Sequence, residues 1–181
     1  MRFTRHRKAV RAQVDPVEVQ ILTQLAGEML ALVDAPDVSD DPLAAMVGMP
    51  AGEVDPPDDP VLARLLPDAY RDDPGSAGEF RRFTDADLRA GKRANAQAVL
   101  EALASLPEGG RLDLDRDQVD QWLSALNDMR LALGTALGVT EDTDPDDGDP
   151  DDPSYQGLHV YSWLGWLQES LLSCVDPRPP H

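Results

Sequence analysis

A start signal for helices occurs three times in this chain and commits most of it to helical structure. In "VDPVEV" (14–19), Asp15 is a helix cap, Pro16 suits the first helical position, and Glu18 stands three residues after the cap. Val14 and Val19 flank the cap as a hydrophobic staple. "FTDADL" (83–88) repeats the device with Thr84, Asp87, Phe83 and Leu88, and "LDRDQV" (114–119) with Asp115, Gln118, Leu114 and Val119. Such caps satisfy backbone N–H groups that the first helical turn leaves without partners.

Apolar spacing extends each signal. Val17, Ile21, Leu22, Leu25, Met29 and Leu32 predict a first helix over 16–33. Leu88, Gly91, Asn95, Val99, Ala102 and Leu106 form the inward stripe of a second, which "PEGG" (107–110) ends. Trp122, Leu123, Leu126, Met129, Leu133 and Leu137 form a third, stopped by Gly138. A last helix, "YQGLHVYSWLGWLQESLLSCV", is apolar on nearly every side, which predicts a central post of the core at 154–175. Two short helices are predicted in "DPLAAMVG" (41–48, cap Asp41) and "DDPVLARLLPDAYR" (58–71, cap Asp59, with Leu62, Leu65 and Leu66 inward). "DDPGSAG" (72–78) reads as a loop. Weak alternation marks 2–6 and 9–13 as short strands, with "RLDL" (111–114) as their partner.

The expected fold is therefore mainly α. It is a single helical domain over residues 1–175, a bundle of five to six helices. A small antiparallel sheet would be built by the N-terminal ribbon of residues 1–14. An acidic loop at 140–153 and a tail at 176–181 complete it. A chain of 181 residues is long enough for one real core, and with 5% aromatics that core must be filled mostly by Leu, Ala and Val.

Charge bounds the function. The formal net charge is −18, which opposes broad nonspecific binding to nucleic acid because the phosphates are repelled. The single cysteine, Cys174, rules out a disulfide within this chain and a cysteine zinc site, and reads as a buried, inert thiol. No apolar run approaches the roughly 18 residues of a membrane span. The N-terminus is basic but lacks the apolar stretch of a signal peptide, so a cytoplasmic location is expected.

No catalytic, metal or cofactor set emerges. The acidic loop fails the calcium pattern: from Asp142 the sixth position is Asp147 rather than Gly, and the twelfth is Pro153. It reads as a solvated loop. His6, His159 and His181 lack ligand spacing, and His159 reads as a packed or capping residue. "LPEGGR" has a Gly pair without the Lys of a phosphate loop.

The candidates for interaction are basic. Arg2, Arg5, Arg7, Lys8 and Arg11 make the first 14 residues a basic arm with no acidic residue. The arm suits nucleic acid, or a strand that docks on the acidic body of the protein. A second cluster holds Arg81, Arg82, Arg89, Lys92 and Arg93, of which Arg82, Arg89 and Arg93 share a helix face. It is either a solvated face paired with the many acids or a docking patch. Asn127, Asp128 and Arg130 sit together, and Asp128 or a neighbouring carboxylate is expected to pair with Arg130 and hold two helices in register.

Four phrases carry a resemblance: "DPVLARLLPDAYR" (59–71), "LPEGGR" (106–111), "NDMRLALGT" (127–135) and "VYSWLGWLQESLL" (160–172). In this order they resemble an uncharacterised actinobacterial family whose members are labelled transcriptional regulators, oxidative-stress regulators or aerial-mycelium-formation proteins. Its genes commonly lie beside the adaptor of the Clp protease and a cysteine-biosynthesis cluster. With no nucleophile–base pair or metal set, the expected function is a non-enzymatic regulator that acts through a protein partner, and the resemblance's regulator label adds the transcription machinery as one such partner. Direct DNA binding through the arm, and an adaptor role in proteolysis or sulfur metabolism, are the alternatives. Within the phrases the polar residues Arg64, Asp68, Arg71, Asn127, Asp128, Arg130, Gln168 and Glu169 stand out from the inward apolar ones. An intramolecular disulfide switch would need a second cysteine, which this chain lacks.

Overall fold

The computed structural model describes residues 1–7, 9–34, 57–67, 74–145, 149 and 151–175, with the backbone path alone for 74–83 and 153. The element order is β1 (Phe3–His6), β2 (Ala9–Val14), α1 (Pro16–Asp34), α2 (Pro60–Leu65), α3 (Pro74–Ala104), β3 (Gly110–Leu114), α4 (Arg116–Ala136) and α5 (Pro153–Val175). The fold is mainly helical with a small antiparallel sheet, as the sequence predicts. The "DPLAAMVG" helix and the 176–181 tail lie outside the described residues.

Two of the three start signals operate as read. Asp15 Oδ1 accepts from Glu18 N at 2.9 Å while Glu18 Oε2 accepts from Asp15 N at 3.0 Å. Asp115 and Gln118 make the same reciprocal pair at the start of α4. Asp59 caps α2 by accepting from Val61 N and Leu62 N. The signal at Thr84 does not start a helix. The backbone of α3 begins at Pro74, so part of the segment read as a loop (72–78) is helical. Proline is preorganised for a first helical turn, and a threonine inside a helix costs only about 0.7 kcal/mol or less.

The sheet is ordered β1-β2-β3, all antiparallel. Leu112 and Leu114 of β3 lie across from Ala12 and Val10 of β2, so the four face the same core. Gly109 (φ +76°) makes the turn from α3 into β3. A Cβ there would stand 2.7 Å from the Val14 carbonyl oxygen, so only glycine fits beside the end of β2.

The central post is α4, not the last helix. It packs against α1, α2, α3, α5, β2 and β3, and its Val119, Trp122, Ala125, Leu126 and Met129 are buried. Trp122 is fully buried with Phe3 edge-on at 6.0 Å. The last helix, α5, packs on α4 and β1 through Leu164, Leu167, Leu171 and Cys174, and leaves Trp166, Leu172 and Val175 exposed. Its all-round apolar composition is thus spent partly at the surface.

Two predicted stripes are also shifted. The buried line of α1 runs Val19, Leu22, Ala26, Met29 and Val33, and Val17 is exposed. On α3 it runs Arg89, Ala96, Val99 and Leu103, with Leu88 exposed and Asn95 half-buried. Both predicted stripes were anchored one step off, on apolar residues near the helix start that face solvent.

Candidate interaction site

The basic residues divide into those neutralised within the fold and those that are not. In α3, Arg89 is buried, with Nε donating to Asp85 at 2.6 Å and a terminal nitrogen to the Val33 carbonyl at 3.3 Å. Lys92 donates to Asp128 at 2.7 Å, and Arg93 pairs with Asp34. Arg89, Lys92 and Arg93 therefore tie α3 to its own first half, to α4 and to α1. In the sheet, Arg11 Nε donates to Asp113 at 2.6 Å, and Arg111 reaches the other oxygen of that carboxylate at 2.9 Å. The bond from Arg11 and the two guanidinium charges hold the Asp113 carboxyl below its ordinary range. Lys8, Arg71 and the side chain of Arg82 lie outside the described residues.

Asp128 does not pair with Arg130. Residues two apart on a helix point to different sides, and Asp128 faces Lys92 on α3 while Arg130 faces α5. There its guanidinium carbon lies 5.6 Å from the centroid of the Tyr161 ring, and one nitrogen reaches the Tyr161 hydroxyl at 3.5 Å. Its Nε is buried with no hydrogen-bond partner among the described residues. Asn127 Oδ1 accepts from Gln168 Nε2 at 3.5 Å, a second long polar contact between α4 and α5.

Arg130 and Arg64 share a groove of about 490 Å³. Leu131, Gly134, Thr135, Gly138, Val139 and Tyr161 complete its lining. Its walls come from α2, the C-terminal half of α4 and α5. The end of α4 shapes it through a paired closure: Val139 N donates to the Gly134 carbonyl at 2.8 Å and Gly138 N to the Thr135 carbonyl at 3.1 Å, with Gly138 at φ +66°. Gly134 lets the helices meet, since a Cβ there would lie 2.8 Å from the Tyr161 ring. Three of the four phrases that carry the family resemblance, those holding Arg64, Arg130 and Tyr161, converge here. Tyr161, Gly134 and Gly138 were not singled out as site residues from sequence. Their presence in or beside those phrases was the available signal.

The N-terminal ribbon is an ordered hairpin. Arg7 occupies its turn at φ +56°, and Arg2, Arg5 and Arg7 are exposed. Arg5 and Arg7 line a second cavity, of about 290 Å³, with Arg116 and Cys174. The thiol of Cys174 donates to the Ser170 carbonyl at 3.3 Å, and burial pushes its pKa up against the pull of Arg5 and Arg2. His159 is exposed, with its ring edge-on to Tyr155 at 4.5 Å. Among the described residues, no helix is long and apolar enough to cross a membrane.

Known proteins place the chain. It is 35% identical over 184 residues to the oxidative stress regulator AosR of Mycobacterium tuberculosis and of Mycobacterium bovis, a match covering 93% of this chain and 83% of theirs. It is 34% identical over 178 residues to the putative oxidative stress regulator AosR of Mycobacterium leprae, covering 90% and 80%. No solved structure matches it significantly. The family model described as a domain of unknown function, DUF2017, matches residues 1–175, and the chain belongs to that family.

Proposed function

We propose that this protein is a non-enzymatic regulator of the oxidative-stress response that acts by contact with another protein. The observation that carries the reading is its 35% identity, across nearly its whole length, to proteins named oxidative stress regulators. Deleting the gene should lower survival under peroxide, and the tagged protein should retain a specific partner from a lysate of stressed cells. Wild-type survival of the deletion strain, or a partner list no different from that of an unrelated acidic protein, would overturn it.

One observation favours a second reading, direct DNA binding. Arg2, Arg5 and Arg7 stand exposed on an ordered hairpin and form no ion pair among the described residues. It predicts a gel retardation that falls steeply with salt and disappears when these three become Ser. Absence of a shift at low salt excludes it.

A further inference from the structure

The chain carries 34 acidic residues against 16 basic ones, and several of its arginines hold a carboxylate partner within the fold. Arg11, Arg89, Arg93 and Arg111 each have one. The groove between α2, α4 and α5 is different. Two arginines line it, and none of its lining residues is acidic among the described residues. Arg64 forms no ion pair among the described residues. Arg130 is half-buried; among the described residues its Nε lacks an acceptor and its one hydrogen-bond contact is a phenol oxygen at 3.5 Å. The Tyr161 ring offsets part of the charge. A guanidinium drawn partly out of water without an anion is otherwise unfavourable.

We propose that this groove binds a phosphoryl group on a small molecule, with Arg64 and Arg130 as its two anchors. A phosphate monoester carries nearly two negative charges at neutral pH, which matches two guanidinium groups. Arginine's planar fork suits phosphoryl oxygens better than a lysine would. The volume exceeds that of a bare phosphate, which leaves space for the organic part of an ester beside Leu131 and Val139. A small ligand is favoured over an acidic protein segment because the net charge of −18 repels a large acidic surface more than it repels one compact group. The site is independent of the proposed regulatory role.

The test is calorimetry on the full chain with inorganic phosphate, glycerol phosphate and pyrophosphate, against chloride at matched ionic strength. The expected result is saturable binding of one phosphate-bearing probe per chain, with glycerol phosphate at least equal to inorganic phosphate. Removing one charged donor should weaken it about tenfold or more. Arg64→Gln is the first variant, because that side chain is exposed on α2, and Arg130→Met is the second. Circular dichroism of each variant without ligand shows whether the fold is kept. No saturable binding by any of the three probes would overturn the proposal, as would binding unchanged in Arg64→Gln. Binding of an Asp-rich octapeptide with all three phosphates silent would also overturn it and assign the two arginines to a protein contact.

Discussion

The Lys92 ammonium donates to Asp128 at 2.7 Å across the packed faces of α3 and α4, and both side chains are largely buried. Each compensates a charge that the other would leave stranded. Asp128→Ala should therefore destabilise the protein by about 2–4 kcal/mol, as removal of one partner of a buried pair does. The double variant Lys92→Met/Asp128→Leu should recover most of that loss. Denaturant melts of the single and double variants measure both, and an additive double variant would show that the two residues act separately.

Gly134 and Tyr161 pack without space for a methyl group. Gly134→Ala should cost about 1–3 kcal/mol through displacement of the ring. In a Tyr161→Ala background the same change should be nearly free, since the obstructing ring is gone. The thermodynamic cycle needs only chemical denaturation curves.

Asp113 supplies an acid-dependent contribution. Its pKa is lowered in the fold by Arg11 and Arg111, so its contribution is complete above the ordinary value of 3.8 and is lost as pH falls through the lower folded value. Asp113→Asn should flatten the acid limb of a stability–pH profile and leave its slope near neutrality unchanged. An acid limb as steep as the wild type's would refute the assignment.

Burial raises the pKa of Cys174, so its thiolate is scarcer at neutral pH than that of a free cysteine. Iodoacetamide should label it much more slowly in the folded protein than in guanidinium. Arg5→Gln should slow labelling further, because Arg5 favours the thiolate. Equal folded and unfolded rates would mean that the thiol is reached without opening of the fold.

Helix identity was legible because caps and apolar periods are local properties. Asp15, Asp59 and Asp115 each announce a helix within six residues of sequence. Thr84 misleads for the same reason: a cap signal says what a start requires, and it does not forbid a helix that has already begun. The misplaced post has a different origin. Composition shows how much apolar surface a helix carries, but only packing shows which element it meets, and α4 lies between the sheet and the other helices. The groove was half legible. Arg64 and Arg130 stood out within long family phrases, but their meeting depends on the packing of α2 against α4. Asp128 has Arg130 near it in sequence but Lys92 near it in space, and only the packing of α3 on α4 decides between them.

The three-stranded sheet ends on β1 at one side, where α5 packs beside it and Ser170 Oγ accepts from Phe3 N, and on β3 at the other. Open edges invite a strand from another molecule, and charged side chains are a common guard against it. Arg5 and His6 on β1, with Arg7 in the turn beyond, and Arg111 and Asp113 on β3 are all exposed. The exposed arginines of the β1 hairpin are a guard of this kind, acting through like-charge repulsion between identical edges. That protection is strongest in dilute buffer and is screened as salt rises.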